Sequence, residues 1–316
     1  MAFFDLSHHR CCPMLRARPV SAALAPRPVR RALGLIGALL LSSASLPFAG
    51  GGEAVAQIVA PVPDSSVYTV EKDLPYRTRD GDTVRMDVFR PAARPSEAVP
   101  GVIFVHGGYL PDSVSAKDME YFQSFGKFVT GAGVAGIVFS HGLSGPGTFQ
   151  RSRRDVEAAV QYIRERASRL GLDRDRLCLL HLSAGGAFVA PFLADRPEWL
   201  RCTVLYYAVL RPGLMETLTG EPVEEPQRTG LNAFSHVGPW EDAPALFLAE
   251  AGKDEPAINE GLHRFRDQAV EAGWPVEYWT HPTGPHGFDM RDPSPRSRSI
   301  LLRTRRFLKE QLVNGR

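Results

Sequence analysis

The chain alternates between two patterns of apolar residues, one typical of buried strands and one typical of helices that cover a sheet. Continuous apolar runs of strand length read VPGVIFV, VAGIVFS, RLCLLHL, RCTVLYYAV, ALFLAEA and VEYWTH. Between them, segments such as 155–171 repeat apolar residues at helical spacing, with Val156, Ala159, Val160 and Ile163 on one face. Strands that are apolar throughout are buried on both faces, as in parallel sheets covered by helices. The pattern therefore predicts an α/β fold.

The first strands of the chain have a different connection. The segments VYTVEKDLPYR and TVRMDVFRP flank Asp80-Gly81, a pair typical of a tight β-hairpin. An antiparallel hairpin followed by repeated βα units predicts one α/β domain over residues 57–316, with a mostly parallel eight-stranded sheet and helices on both faces. Residues 209–243 are richer in Gly, Pro and Glu and interrupt the alternation. We expect them to form a small cap insertion.

The N-terminal segment has the plan of a secretory signal. Arg30 and Arg31 precede the apolar run ALGLIGALLLSSA, and A-V-A at 54–56 supplies small residues for cleavage. Residues 1–56 are therefore predicted to be a signal peptide cleaved near Ala56, which implies a periplasmic or secreted protein. An uncleaved anchor is the alternative, although the apolar run is short for a spanning helix. The paired arginines leave both Sec and twin-arginine export open.

Charge and cysteine content change once that segment is removed. Residues 1–56 contain six arginines and two acidic residues, so the net charge of the remainder is about −2 instead of +2. This balance gives no support for a nucleic-acid partner. The cysteines left, Cys178 and Cys202, lie in apolar runs. Because free cysteine is among the most buried residue types, we expect two buried thiols, although export would permit a disulfide.

The stretch HLSAGG carries the first candidate for chemistry. Ser183 ends an apolar strand and precedes a predicted helix, as in the G-x-S-x-G nucleophile elbow, except that His181 occupies the first glycine position. Such a turn strains the backbone and needs small neighbours, which Ala184, Gly185 and Gly186 provide. Ser183 is a candidate nucleophile, and an ordinary turn serine is the alternative. We expect the imidazole of His181 to point away from the turn and to serve in packing.

A second glycine-containing stretch ends the strand VPGVIFV. In acyl transfer, backbone N–H groups must point at the developing oxyanion, and glycines allow the chain to approach closely. Gly107 and Gly108, together with the N–H of Ala184, are therefore candidates for an oxyanion hole. A glycine-rich turn without function is the alternative, and His106 before it is interpreted as structural.

Asp254 and His286 complete a possible triad with Ser183. Each follows the C-terminal end of a predicted strand, and the chain order Ser, Asp, His is that of α/β-hydrolases. A histidine can take the serine proton, and a carboxylate can fix the histidine tautomer. Other acidic residues and histidines compete less well for these roles: Glu250, Glu255, Asp289, His141, His181 and His281.

Metal and nucleotide chemistry have no support in the sequence. GAGVAG at 131–136 matches G-x-G-x-x-G but follows a predicted helix and precedes a strand, the reverse of a dinucleotide site, so it is interpreted as a turn. Neither H-E-x-x-H, a paired C-x-x-C nor a P-loop is present. We therefore expect no cofactor and no metal.

These motifs together resemble the α/β-hydrolase superfamily, in particular its dienelactone-hydrolase-like and esterase/lipase-like branch. The similarity covers residues 66–316 and rests on VIFVHGG, HLSAGG, YYAVL, AGKDEPAIN and HPTGPHGFD. It implies Ser183 as nucleophile, Asp254 as acid, His286 as base, and the oxyanion donors named above. Dienelactone hydrolases use a cysteine nucleophile, so the serine favours an ordinary carboxylic ester.

The sequence thus predicts an exported serine hydrolase that acts on small-molecule esters through an acyl-enzyme. The short cap favours small or medium acyl groups, with four apolar residues as candidates for the pocket or the core: Leu214, Met215, Phe234 and Trp240. A peptidase or acyltransferase could use the same triad, and an inactive binding protein could keep the fold. Neither the alcohol group nor the oligomeric state is predicted.

Overall fold

A single mixed sheet organises the part of the chain that the structure describes. The computed structural model describes residues 57–79, 81–93 and 98–315. The predicted signal peptide at 1–56 and Asp80 of the predicted hairpin turn lie outside these residues. In the described residues, eight strands are arranged in the order β1-β2-β4-β3-β5-β6-β7-β8. Their bounds are β1 (Tyr68–Arg79), β2 (Asp82–Pro91), β3 (Val99–Val105), β4 (Ala135–Phe139), β5 (Leu172–Leu182), β6 (Leu200–Tyr206), β7 (Ala245–Ala251) and β8 (Val276–His281).

The pairing follows the predicted topology. β2 is antiparallel to both β1 and β4, whereas β3 to β8 are all parallel to one another. Parallel strands need crossover connections, which the intervening helices provide. The predicted fold class, a mostly parallel eight-stranded sheet of the α/β-hydrolase type, is confirmed.

Helices connect the strands and cover both faces of the sheet. The α-helices are α1 (Glu120–Thr130), α2 (Phe149–Glu165), α3 (Ala167–Leu170), α4 (Ala190–Asp195), α5 (Pro212–Thr219), α6 (Glu225–Gly230), α7 (Pro256–Glu271), α8 (Phe288–Arg291) and α9 (Pro295–Lys309). Short 3-10 turns occupy Ser65–Val67, Ala116–Asp118, Pro146–Thr148, Ser183–Val189 and Ala233–His236, and a π-helical turn follows α9 at Glu310–Asn314. The GAGVAG stretch is a turn between α1 and β4, with Gly133 at φ +81°.

Alternation along the central strands explains why their sequences are apolar throughout. In β3, Ile103 packs into the cluster that contains the apolar face of α2. Its neighbours Val102 and Phe104 pack into the cluster that contains α1 and α9. Both faces of the sheet are therefore covered, as the continuous apolar runs predicted. Within the described residues, no helix combines the length and the apolar character needed to cross a membrane.

The expectation of two free thiols is wrong. Cys178 on β5 and Cys202 on β6 are register partners in adjacent parallel strands, with their Cα atoms 4.7 Å apart, and they form a disulfide. That separation lies within the range that a disulfide bridges. Both residues are fully buried. Burial was predicted correctly, but the register that aligns the two side chains could not be obtained from the apolar runs alone.

Candidate active site

The turn after β5 holds Ser183 in a strained backbone conformation. Ser183 has φ +52°, a left-handed value that residues with a side chain rarely adopt. Small neighbours allow this turn to pack. A Cβ atom on Gly185 would lie 2.5 Å from the carbonyl oxygen of His106, and one on Gly186 would lie 2.7 Å from the Cβ of Ala208. Strain at a site that surrounding structure enforces is typical of a nucleophile elbow.

His181 supports this turn, contrary to expectation. Its ring is fully buried, and Nδ1 lies 2.9 Å from the carbonyl oxygen of Gly185. Because a carbonyl only accepts, Nδ1 carries the proton. Burial lowers the pKa of His181 to about 4, so the ring is neutral near pH 7. The prediction that the imidazole points away from the turn is therefore wrong, although it is buried as a packing residue would be.

The structure brings Ser183, His286 and Asp254 together in one chain of hydrogen bonds. Nε2 of His286 lies 2.7 Å from Oγ of Ser183, and Nδ1 of His286 lies 2.6 Å from Oδ2 of Asp254. The Asp254 side chain is almost completely buried, whereas the His286 side chain is about one quarter exposed. With Nδ1 protonated toward the carboxylate, Nε2 is free to accept the serine proton. The three residues are more than 100 positions apart at their extremes, yet they meet at the C-terminal edge of the sheet.

Backbone contacts hold the two loops that carry Asp254 and His286 against each other. The N–H of Gly252 donates to the carbonyl of His281 at 2.8 Å, and the N–H of Lys253 donates to the carbonyl of Gly284 at 3.0 Å. A Cβ on Gly252 would come within 2.5 Å of the carbonyl oxygen of Pro282. The carboxylate and the imidazole are therefore fixed by β7 and β8, which are adjacent strands.

The competing acidic residues have other partners. Glu250 accepts hydrogen bonds from Tyr278 and Thr280. Asp289 accepts from Tyr121 and Tyr207. Glu255 lies at the N-cap of α7 and donates its own N–H to Asp254.

The remaining histidines also lie outside the Ser183–His286–Asp254 chain. His281 pairs with Asp292 at 2.7 Å, at the base of the loop that carries His286. His141 stacks on His106, with ring centroids 3.6 Å apart. This stack lies under the loop that follows β3 and not at the serine hydroxyl.

The glycine loop after β3 runs directly against Ser183. A Cβ on Gly107 would lie 2.7 Å from the Cβ of Ser183 and 2.4 Å from the carbonyl oxygen of Leu182, so only glycine fits. Gly108 has φ +76° and open space around it. Ala184 follows Ser183 at the start of the 3-10 turn. Of the three candidate oxyanion residues, Gly107 thus lies against Ser183, Ala184 follows it in the chain, and Gly108 is the next residue of the glycine loop.

His106 fixes this loop from below. Its Nδ1 donates to the carbonyl of Gly107 at 3.1 Å, and its Nε2 accepts from the N–H of His141. His141 in turn donates from Nε2 to the carbonyl of His106 at 3.1 Å. Burial lowers the pKa of His106 to about 4 and that of His141 well below its usual value. Both rings are therefore neutral, as their structural role requires.

The candidate cap residues divide into two groups. Leu214 and Met215 on α5 are buried in the same cluster as Ala184, so they lie on the side of the sheet that faces the serine turn. Phe234 packs against Phe265 of α7, with ring centroids 6.1 Å apart. Trp240 packs against Trp274. Leu214 and Met215 are thus members of the core, and the half-buried Phe234 and Trp240 pack against it, so all four residues contribute to core packing.

Sequence reasoning missed Tyr207, whose ring centroid lies 4.5 Å from that of His286. Its position in the apolar run RCTVLYYAV suggested an ordinary strand residue. The strand in fact ends at Tyr206, and Tyr207 has φ +37°. No glycine or other turn residue at this position signals the left-handed backbone, so the sequence offers no local signal for the contact with His286.

Comparison with solved structures agrees with this architecture. A thermophilic esterase of Thermogutta terrifontis superposes with a TM-score of 0.62 at 16% identity, covering 80% of this chain and 96% of that one. An esterase of Rhizomucor miehei gives 0.62 at 17% identity, covering 81% and 87%. A bacterial heroin esterase gives 0.63 at 19% identity, covering 78% and 85%. The chain therefore has the α/β-hydrolase fold, which the resemblance implied.

Sequence comparison finds similarity to known hydrolases over part of the chain. Residues 86–194 match the model of the BD-FAE family, a segment that includes Ser183 and the glycine loop. An ethyl acetate hydrolase of Pseudomonas putida is 30% identical over 126 residues. That alignment covers 39% of this chain and 38% of the relative, so the similarity spans less than half of either protein.

Proposed function

We propose that this protein is a serine hydrolase that cleaves carboxylic esters through an acyl-enzyme. The observation that carries the proposal is the continuous hydrogen-bonded chain from Ser183 Oγ through His286 to Asp254, with contacts of 2.7 and 2.6 Å. A serine hydroxyl is a poor nucleophile until a positioned base takes its proton, and both contacts lie in the range for such a transfer. The left-handed backbone of Ser183 and the adjoining glycine loop add further support.

The first half-reaction forms the acyl-enzyme. Ser183 Oγ attacks the ester carbonyl carbon while its proton moves to Nε2 of His286. The carbonyl oxygen becomes an oxyanion, which backbone N–H groups of the Gly107–Gly108 loop and of Ala184 stabilise. The intermediate collapses, the bond to the alcohol oxygen breaks, and His286 returns its proton to that oxygen. Asp254 stabilises the imidazolium and keeps Nδ1 protonated.

The second half-reaction releases the acid. A water molecule gives a proton to Nε2 of His286 and attacks the acyl carbon, so that a second oxyanion forms in the same position. Its collapse breaks the bond to Ser183 Oγ, which recovers the proton from His286. The net reaction consumes one water and yields one carboxylic acid and one alcohol.

We infer that the acyl groups are small or medium in length. The connection between β6 and β7 contains only the short helices α5 and α6 and one 3-10 turn, and Phe234 and Trp240 within it are engaged with the core. The Thermogutta terrifontis esterase of the same fold was solved with propionate and with butyrate bound.

We also propose that the protein is exported after cleavage near Ala56. The buried Cys178–Cys202 disulfide supports an oxidising compartment, because disulfides are rare in the cytosol. Sequencing the N-terminus of the protein from the periplasmic or secreted fraction tests this. A chain that begins near Gln57 supports export, and one that keeps the N-terminal segment from Met1 contradicts cleavage.

The activity is tested with p-nitrophenyl acetate, butyrate, octanoate and laurate, using wild type, Ser183→Ala and the control Ser152→Ala. Ser152 is a buried serine on α2 that is bonded to the carbonyl of Thr148. We expect kcat/KM to fall by about 10⁴-fold or more in Ser183→Ala and to stay near the wild-type value in the control. Acetate and butyrate should be the best substrates. Activity that survives in Ser183→Ala would remove the serine from the mechanism.

A p-nitroanilide with the same acyl group separates an esterase from a peptidase, because the acyl pocket is unchanged and only the leaving group differs. A fluorophosphonate probe adds a direct test of serine activation. Labelling should be lost in His286→Ala and retained in His263→Ala, since His263 lies on α7 and pairs with Glu250.

A further inference from the structure

Tyr207 packs against the imidazole ring of His286. The ring centroids are 4.5 Å apart and the planes are inclined by 55°. Tyr207 is only 2% exposed, so its contact is with the imidazole and the core. It follows β6 directly, in a left-handed conformation at φ +37° that a residue with a large side chain rarely adopts.

A buried carboxylate holds the hydroxyl of Tyr207. Oη of Tyr207 donates to Oδ1 of Asp289 at 2.5 Å, and Oη of Tyr121 donates to Oδ2 at 2.5 Å. Asp289 is fully buried and lies on α8, three residues after His286. Burial raises the pKa of Asp289, while the two tyrosine hydroxyls and the nearby His286 act in the opposite direction.

The network joins three elements at the base of the His286 loop. Tyr121 comes from α1, Tyr207 from the end of β6, and Asp289 from α8. The main chain of Asp289 is also fixed, because its carbonyl accepts from the N–H of Val59 at 2.7 Å. The turn that begins at His286 is thus tied to the sheet by a side chain that also touches the imidazole.

The geometry of His286 explains why a face contact matters. Its hydrogen bonds to Asp254 and Ser183 use both ring nitrogens, and they resist a tilt of the ring plane about the line that joins those nitrogens less than they resist other movements. A packed aromatic face restricts that tilt. Since transfer of a proton and attack by Oγ depend on orientation, a small tilt of the imidazole lowers the rate.

We propose that Tyr207, anchored by the carboxylate of Asp289, is a positioning residue that fixes the plane of the His286 imidazole for proton transfer. The inference rests on the proposed esterase function of the same site. Tyr207 touches neither substrate nor reacting atom and acts through His286. The strained backbone of Tyr207 is consistent with this role, because it directs the ring at the imidazole and not along the strand.

The test compares Tyr207→Phe with Tyr206→Phe, a matched control in the adjacent residue. Tyr206 is also fully buried, and its hydroxyl is 2.6 Å from Oγ1 of Thr304, but its ring stacks on Phe247 and Phe288. Tyr207→Phe removes the hydroxyl that bonds to Asp289 and lies 3.4 Å from Oη of Tyr121, and Tyr206→Phe removes the hydroxyl that bonds to Thr304, so both should lower the melting temperature. Only Tyr207→Phe releases the ring that contacts His286.

With p-nitrophenyl acetate and active sites counted by fluorophosphonate titration, we expect kcat to fall by about tenfold in Tyr207→Phe with KM within about twofold of wild type. Tyr206→Phe should keep the wild-type kcat. Asp289→Asn preserves the shape of the side chain but weakens its hydrogen bond to Tyr207, so it should lower kcat in the same way. If Tyr207→Phe does not fold, the kcat of Asp289→Asn tests the inference in its place.

Equal kcat values in Tyr207→Phe and Tyr206→Phe would overturn the inference. It would also be overturned if Tyr207→Phe had fewer active sites by titration but the wild-type kcat for each active site. Failure of the proposed function gives a different result, because the wild-type protein would then hydrolyse no ester, or Ser183→Ala would remain active.

Discussion

The imidazole of His181 donates a hydrogen bond to the backbone carbonyl of Gly185 across the turn that carries Ser183, with 2.9 Å between Nδ1 and the oxygen. The side chain thus connects the last part of β5 to the second residue after the serine. Its Nε2 is buried and without a hydrogen-bond partner among the described residues. A charged ring would be costly in this environment, which is why the neutral form is favoured.

This arrangement makes stability depend on pH. The pKa of His181 is about 4 in the folded protein, below the value of 6.5 for an unperturbed histidine. Between these values the unfolded chain binds more protons, so the free energy of unfolding decreases as the pH falls. The contribution is fully present above pH 6.5 and is lost as the pH approaches 4. His106 has the same direction of shift and cause.

Replacing His181 by glutamine isolates the contribution of His181 to the pH dependence of the unfolding free energy. We expect the slope of unfolding free energy against pH to become shallower by up to about 1.4 kcal/mol per pH unit between pH 4.5 and 6, measured by urea unfolding. Above pH 7 the curves of the variant and the wild type should run parallel. Identical slopes in the acid range would mean that His181 is already protonated in the native protein.

Asp254→Asn should nearly abolish turnover while leaving the fold intact. An amide at this position can donate to Nδ1 of His286 and so favour the tautomer that cannot accept the serine proton at Nε2. We expect kcat for p-nitrophenyl acetate to fall by about 10³- to 10⁴-fold. Glu255→Gln is the matched control, because Glu255 is the adjacent acidic residue and the hydrogen bond to Nδ1 of His286 comes from Asp254. A large loss of kcat in Glu255→Gln together with a small loss in Asp254→Asn would assign the role of the triad acid to Glu255 instead of Asp254.

Gly185→Ala should destabilise the protein strongly. The added Cβ would lie 2.5 Å from the carbonyl oxygen of His106 and 2.6 Å from that of Val105, and backbone atoms of a central strand cannot move aside cheaply. We expect a loss of about 3 kcal/mol in the free energy of unfolding, read from urea midpoints. Gly213→Ala on α5, where a Cβ meets nothing within 4 Å, should change stability by less than about 1 kcal/mol. Equal midpoints for the two variants would contradict the close packing of the elbow.

The parts of the fold and site that could be predicted are those that follow from the order of apolar strands and helices along the chain. Apolar runs buried on two faces require a covered parallel sheet, and loops after its strands meet at one edge, so Ser183, Asp254 and His286 could be proposed before any distance was known. The orientation of His181 could not be obtained in this way. It depends on the position of the Gly185 carbonyl, to which Nδ1 of His181 donates across the turn, and only the folded structure determines that position.

The contact between Tyr207 and His286 was unpredictable for a related reason. The run of tyrosines in YYAVL looks like a continuation of β6, and the left-handed backbone at Tyr207 has no local sequence signal such as glycine. The disulfide was also unpredictable, because it depends on the register between the neighbouring strands β5 and β6. Parallel strands can be offset by a residue without changing their apolar character, and an offset of one would turn Cys178 and Cys202 to opposite faces.

The disulfide gives the last prediction. Residues 57–316 contain only Cys178 and Cys202. A protein of residues 57–316 that has been unfolded without reductant should therefore contain no thiol that reacts with Ellman's reagent, and both thiols should appear after reduction. Joining residues 24 apart in sequence restricts the unfolded chain, so Cys178→Ala/Cys202→Ala should lose about 3 kcal/mol of unfolding free energy. Wild type in reductant should lose a similar amount, whereas the double variant should respond to reductant not at all. Two reactive thiols in the unreduced chain would restore the original expectation of free cysteines and remove one support for export.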